Sequence, residues 1–102
     1  MEPEAPPTLP GKERLILELL AGGGPLYGLQ LVAEADGALK RGTVYATLAR
    51  MESKGLVESA QEPLPDGAIG LPRRVYRITV QGKRVLRAWV ALARELAWEV
   101  PR

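Results

Sequence analysis

Basic and hydroxyl-bearing side chains are concentrated in residues 40–50 of this 102-residue sequence. The members of this group are Lys40, Arg41, Thr43, Thr47 and Arg50. Lysine and arginine neutralise phosphate groups, and the guanidinium of Arg41 or Arg50 can form two hydrogen bonds to a guanine edge. These residue types favour recognition of a polyanion, with a solvated helix face as the alternative.

The net charge of +2 conceals an uneven distribution of charge along the chain. Residues 1–39 carry 2 basic and 6 acidic groups, whereas residues 40–55 carry 4 and 1. Residues 56–79 carry 3 of each, and residues 80–102 carry 5 basic and 2 acidic groups. Two basic segments in a nearly neutral chain favour a nucleic acid partner.

The composition argues against an enzyme. Cysteine and histidine are both absent, which excludes thiol nucleophiles, thiolate or imidazole metal sites and histidine acid–base catalysis. The carboxylates, lysines and tyrosines that remain show no clustering, so we expect neither a metal nor a cofactor. No apolar run approaches the ~20 residues of a membrane span, and the acidic, proline-rich start is unlike a signal peptide. We therefore expect a cytoplasmic protein without membrane contact.

Two helices are predicted to precede the basic segment. Residues 1–10 hold four of the nine prolines and read as a flexible arm, so the folded domain is expected to begin at residue 11. The first helix is predicted at Lys12–Ala21, ending at the glycines of 22–24, and its apolar stripe is Leu15, Ile16, Leu19 and Leu20. The second is predicted at Tyr27–Asp36, with Leu29, Val32 and Ala35 on one side.

The third predicted helix contains the basic segment and runs from about Arg41 to Lys54. Its core side is predicted to be formed by Val44, Leu48 and Met51, at positions i, i+4 and i+7. This arrangement leaves the cations and threonines on the outer side. Gly55 is placed to take the left-handed conformation that ends a helix, and Leu56 follows it as the accompanying apolar contact.

Two strands are predicted after Gly55, at Leu56–Glu62 and Arg73–Thr79. Tyr76 is expected to lie in the core. The connection between the strands contains the turn signal Pro65-Asp66-Gly67 and is too long for a tight hairpin, so it should project as a loop. At its far end, Arg73 and Arg74 suit contact with a sugar–phosphate backbone, with solvated strand ends as the alternative.

A last helix is predicted from an N-cap at Thr79 to about Glu99, within residues 80–102. It carries two adjacent apolar stripes, one starting at Val85 and the other at Leu86, which together are wider than a small core can hide. One stripe is predicted to pack on its own domain and the other on a second copy of the chain. The predicted dimer contacts are Leu86, Trp89, Val90, Ala93, Leu96 and Ala97.

Three helices, a two-stranded ribbon and a long apolar helix are the layout of a winged helix-turn-helix domain. The predicted fold is mostly α with a small β-ribbon, and consists of a winged helix over residues 11–79 with an added C-terminal dimerisation helix. In this fold the third helix enters the major groove and the ribbon loop reaches the flanking backbone. The basic segment coincides with that third helix.

Five short motifs follow one another along the chain. They are Leu15–Leu20, Gly24–Gly28, Gly42–Leu48, Met51–Val57 and Arg73–Thr79, the last followed by Gly82. With these five motifs in this order, the sequence resembles PadR-family transcriptional regulators across roughly residues 15–97. Three positions differ from the usual family pattern: Lys40-Arg41 replaces Ser-Pro before the Gly-Thr, Ala46 replaces a proline, and Leu29 replaces a frequent aromatic residue. The first change removes a good N-cap and adds two cations.

The resemblance implies a dimer built through the C-terminal helix, in the short class with a single such helix. It also implies that the Tyr45 hydroxyl contacts a phosphate, although this ring could instead seal the first helix against the third. Some relatives bind small aromatic compounds near the dimer interface, so Trp89 is either an anchor of the dimer seam or a surface for stacking such a ligand.

These observations predict a homodimeric, sequence-specific repressor that binds double-stranded DNA at a palindromic operator and is released by a small aromatic effector. The alternative is a winged-helix protein-interaction module, because a fold does not fix a function. Such a module would dock through the apolar residues of the ribbon loop, which are Leu64, Ile69 and Leu71.

Overall fold

The computed structural model describes residues 9–64, 66–67, 70 and 72–99, with residues 96–99 described by their backbone alone. Its helices are α1 (Gly11–Gly23), α2 (Gly28–Glu34), α3 (Arg41–Ser53) and α4 (Val80–Glu99). Its strands are β1 (Leu26–Tyr27), β2 (Val57–Glu62) and β3 (Arg73–Ile78). The predicted fold class is confirmed: helices dominate, a two-stranded ribbon of β2 and β3 follows α3, and α4 is added after the ribbon.

The sheet has three antiparallel strands in the order β1-β3-β2, not the two that were predicted. The additional strand is β1, in which Leu26 pairs with Tyr76 and Tyr27 with Val75. A strand of two residues is too short to show an alternating pattern, so its existence depends on the neighbouring β3. β1 attaches the start of α2 to the sheet.

The core side of α3 is as predicted, with Val44, Leu48 and Met51 fully buried. The predictions for α1 and α2 are partly wrong. Leu17 is fully buried in α1 although it lies outside the predicted stripe, and Leu31 takes the buried position in α2 while Leu29 is exposed. Both helices are short and meet neighbours on more than one side, so a single stripe underestimates what they bury.

The end of α3 forms the predicted glycine stop. Gly55 has φ 78°, its N–H donates to the Glu52 carbonyl, and the Leu56 N–H donates to the Met51 carbonyl at 2.9 Å. This pair of bonds satisfies two of the free carbonyls at the helix end. Leu56 is fully buried, as predicted.

Thr79 is the predicted N-cap of α4, since its Oγ1 accepts from the Gly82 N–H at 2.9 Å. The same hydroxyl donates to the Gly55 carbonyl at 2.6 Å, which links the start of α4 to the end of α3. Gly82 packs directly on the Leu56 backbone carbonyl, where a Cβ atom would collide. This close contact explains why a glycine follows the last of the five motifs.

The first half of α4 packs on its own chain, and the second half extends beyond it. Val85 is buried, and Leu86 and Trp89 are half-buried against the core cluster. Further along, Val90 and Leu92 are exposed apolar residues. Ala93 is also exposed, and the side chains of Leu96 and Ala97 lie outside the described residues.

Residues 1–8 of the predicted arm also lie outside the described residues, whereas Leu9 packs against the core and Pro10 precedes α1. In the loop between β2 and β3, Asp66 and Gly67 form part of a turn, with Gly67 at φ 81°. In the part of the chain that the structure describes, no helix has the length and apolarity to cross a membrane.

Candidate nucleic-acid interface

The outward side of α3 carries most of the predicted contact residues. Those that are exposed are Lys40, Arg41, Thr43, Tyr45 and Arg50. Lys40 and Arg41 stand at the N-terminus of α3, the positive end of the helix dipole, where each cation disfavours the helix by about 0.3–1 kcal/mol. The same placement strengthens the positive potential that an approaching phosphate meets. The two cations thus lower the stability of the first turn of α3, at the place where an anion would bind.

Thr47 is not on the outward side, and that prediction is wrong. The residue is only 3% exposed, because it completes the buried positions 44, 47, 48 and 51 at helical spacing. Its Oγ1 donates to the Thr43 carbonyl at 3.2 Å and accepts from an Arg50 Nη at 3.4 Å. Thr47 therefore orients Arg50. The i+3 position relative to Val44 was the sequence signal for this burial.

Tyr45 packs over the first residue of α2. A Cβ atom at Gly28 would lie 2.5 Å from the Tyr45 Cε1, so only glycine allows this approach. The side chain is nevertheless 48% exposed. This contact with α2 differs from the alternative in which the ring seals the first helix against the third.

Arg73 lies over the Tyr27 ring, with its guanidinium carbon 5.1 Å from the ring centroid. The Tyr27 hydroxyl donates to Glu62 Oε1 at 2.6 Å. This hydrogen bond to a carboxylate, more than any other contact, raises the pKa of Tyr27 above its ordinary value. The two strands of the ribbon thus hold a tyrosine between a cation and an anion, and Arg73 gains a fixed position from it.

Arg74 is held by a separate network. Its Nη1 donates to the Ser59 Oγ at 3.0 Å, and that hydroxyl lies 3.0 and 3.1 Å from the two carboxylate oxygens of Glu52. Glu52 belongs to α3 and Ser59 to β2, so these bonds connect the third helix to the ribbon. Sequence reasoning missed this network, because its members come from three different elements.

A cavity of about 540 Å³ lies where α2, α3 and the start of β3 meet. Tyr45, Arg73 and Arg74 all line it, so the structure brings these three predicted contacts together. Exposed Leu29 of α2 lines it as well. Tyr45 of α3 and the arginines at the base of the ribbon therefore lie around one cavity.

Two remaining predictions concern other parts of the chain. Trp89 adjoins a smaller cavity of about 190 Å³, and its Nε1 is buried without a hydrogen-bond partner among the described residues. Of the three apolar loop residues that a protein-docking module would use, Leu64 is exposed, and Ile69 and Leu71 lie outside the described residues. No cluster of metal-binding side chains occurs in the described parts of the chain.

The fold is that of a winged helix-turn-helix domain of the DNA-binding type. Its third helix is basic, its ribbon carries arginines at the base, and the two elements meet closely. The sequence profile of the transcriptional regulator PadR-like family matches residues 16–88, and the chain belongs to this family. The resemblance drawn from the five motifs is thereby confirmed.

Solved structures of PadR-family regulators share the fold. One from Clostridium difficile R20291 is 31% identical over 84% of this chain and 90% of its own, with a TM-score of 0.69. One from Eggerthella lenta DSM 2243 is 32% identical over 81% and 74%, with a TM-score of 0.66. A PadR-like transcription factor from Bacteroides fragilis is 26% identical over 82% and 81%, with a TM-score of 0.69. All three are named as transcription regulators or factors. No curated protein matches the sequence significantly.

Proposed function

We propose that this protein is a homodimeric repressor that places α3 of each subunit in the major groove of a palindromic operator. The observation that carries this proposal is the cavity that Tyr45 of exposed α3 shares with the ribbon arginines. Tyr45, Arg73 and Arg74 line this cavity, although 28 or more positions separate the tyrosine from the arginines. A protein that acts on DNA in this way works where the DNA is, in the cytoplasm.

The roles of the contact residues follow from their positions. Lys40 and Arg41 meet phosphates near the start of α3, with the Thr43 and Tyr45 hydroxyls as further donors. Arg50, oriented by Thr47, reads a base edge or a phosphate. Arg73 and Arg74 hold the backbone that flanks the groove. Thr47 itself is too buried to touch DNA.

The dimer would be built through the second half of α4. Val90 and Leu92 are exposed apolar residues on a helix that extends past its own core, and a two-fold mate would cover them together with Ala93, Leu96 and Ala97. Leu86 and Trp89 would bridge the core and the dimer seam, because they are only half-buried in one chain. Two copies present two third helices, which a palindromic site requires about 34–36 Å apart.

The proposal includes release from DNA by a small aromatic effector. The cavity beside Trp89 is smaller than the roughly 300–1,000 Å³ of typical small-molecule sites. This size supports the anchoring role of Trp89 more than a stacking role in ligand binding.

Selection of bound sequences from a random oligonucleotide pool tests the proposal directly. The expected result is an inverted repeat with half-sites about one helical turn apart. Arg50→Ala should then weaken binding of that site, whereas Arg14→Ala on α1 removes an exposed cation elsewhere and should leave binding unchanged. A pool that yields no inverted repeat would refute the palindromic operator, and equal effects of the two substitutions would refute the role of α3.

A further inference from the structure

We propose that the cavity between α2, α3 and β3 binds a small organic anion with a flat apolar body, and that this ligand and DNA exclude each other. The inference builds on the proposed function, because it names a regulatory site on the DNA-binding surface. It is a different place from the surroundings of Trp89. It follows from the size, the walls and the charge of the cavity.

The cavity has the dimensions and walls of a ligand site. Its volume of about 540 Å³ lies within the roughly 300–1,000 Å³ that small-molecule sites occupy. The rings of Tyr27 and Tyr45 line it together with Leu29 and Pro72. Flat ring faces and aliphatic groups favour an apolar, planar partner. Phosphate contacts alone do not require such walls.

The walls are held in place before any ligand arrives. Tyr27 is fixed by its hydrogen bond to Glu62 and by the Arg73 guanidinium above it. Tyr45 packs against Gly28, whose missing side chain leaves room for the ring. Preorganised side chains lose little conformational freedom on binding, which favours affinity for a small ligand.

The charge at the cavity selects an anion. Arg73 and Arg74 both line it, and neither guanidinium forms an ion pair within 4.0 Å in the described parts of the chain. Glu62 and Glu52 are the nearby opposing charges, and each already accepts a hydrogen bond, Glu62 from Tyr27 and Glu52 from Ser59. Because both carboxylates are engaged, the two guanidinium groups favour a carboxylate or sulfonate on the ligand.

Occupation of this cavity would cover Tyr45, Arg73 and Arg74, which the proposed DNA complex uses. Competition for shared residues has a different signature from action at a distant site. A competitor raises the apparent Kd for DNA in proportion to its concentration, without a plateau. A ligand bound elsewhere weakens DNA binding only up to a fixed coupling factor.

The test uses anilinonaphthalene sulfonate, a fluorescent apolar anion, with the full chain. We expect saturable binding that Leu29→Glu weakens at least about tenfold, as removal of a central anchor commonly does. Val80→Glu is the matched control, because Val80 is 75% exposed on the first turn of α4 and lies outside the cavity. Leu29 is itself 47% exposed, and thermal unfolding of both variants will verify their folding.

A second comparison tests the charge requirement. Replacing one arginine in Arg74→Gln, which keeps the Arg73 guanidinium over Tyr27, should weaken the sulfonate probe but leave binding of the uncharged phenylnaphthylamine within about twofold, because only the anion uses a charge-assisted contact. Equal losses for the two probes would overturn the selection of an anion. Equal binding by Leu29→Glu and Val80→Glu would overturn the site itself.

Titration of the selected operator in the presence of the probe completes the test. A linear rise of the apparent Kd supports exclusion, and a plateau overturns it. If the wild-type chain binds no specific DNA while Leu29→Glu still abolishes probe binding, the proposed function fails and the ligand site stands. If DNA binds and the probe does not, the ligand site fails alone.

Discussion

Lys54 and Glu13 form an ion pair of 2.8 Å between the end of α3 and the start of α1. Their positions in the sequence differ by 41 residues, and Glu13 is only 2% exposed. The bond fixes the end of the third helix on the first helix, so the position of α3 in the domain depends on a buried charge.

The ion pair predicts an asymmetric loss of stability. Lys54→Met leaves a buried carboxylate without its cation and should lower the free energy of unfolding by about 2–4 kcal/mol. Glu13→Gln should cost less, about 1–2 kcal/mol, because the Lys54 side chain is less buried and can turn towards water. Urea unfolding measures both. Arg14→Met, which breaks the exposed pair with Glu18, is the control and should cost less than about 1 kcal/mol. Equal costs for all three would contradict the assigned burial.

Gly28→Ala should destabilise the domain by about 1 kcal/mol, at the low end of overpacking costs, because the new Cβ meets the outer end of the Tyr45 ring, which is exposed and can turn aside. The loss should nearly vanish when Tyr45→Ala is introduced first, since the ring is then absent. Unfolding of the two single variants and the double variant measures this coupling. If the losses of unfolding free energy in the two single variants add up in the double variant, glycine is required at position 28 by the backbone conformation and not by contact with the Tyr45 ring.

Thr47→Val should weaken operator binding by acting through Arg50. The substitution keeps the buried shape but removes the hydroxyl that accepts from the guanidinium. We expect a smaller loss than for Arg50→Ala, which should cost about 1–3 kcal/mol if Arg50 contacts a base. In the Arg50→Ala background, Thr47→Val should have no further effect. Fluorescence anisotropy with labelled operator measures all three, and a full effect of Thr47→Val in that background would exclude the positioning role.

Glu62→Gln should lower the pKa of Tyr27. In the folded protein this pKa is raised by the hydrogen bond to Glu62, so the neutral phenol is stabilised relative to the unfolded chain. This contribution is complete below the unfolded pKa and is lost as the pH rises through the folded one. Tyrosinate absorbance during an alkaline titration should therefore show one tyrosine ionising earlier in Glu62→Gln. An unchanged titration would mean that the bond does not persist in solution.

The sequence predicted what local patterns determine. The buried side of α3, its glycine stop and the Thr79 N-cap each depend on residues a few positions apart, and the structure confirms all three. The order of these elements was sufficient to infer a winged helix. Charge counts then pointed to α3 as the basic element.

The features that the sequence did not predict depend on contacts between residues that are far apart along the chain. β1 exists because β3 pairs with it, and Glu13 is buried because Lys54 reaches it from another helix. Thr47 is predicted on the outer side because it lies outside the stripe of Val44, Leu48 and Met51, whereas the buried side of α3 is wide enough to include it. The network of Glu52, Ser59 and Arg74 joins three elements and has no local signature.

The most direct test of the central claim is the salt dependence of operator affinity for wild type, Arg74→Gln and Arg14→Gln. If α3 and the ribbon bind the DNA backbone, the wild-type affinity falls steeply with salt, and Arg74→Gln reduces the slope of log affinity against log salt by about 1. Arg14→Gln leaves the slope unchanged. A wild-type affinity independent of salt, or the same slope for all three proteins, would contradict the assignment of this surface to DNA.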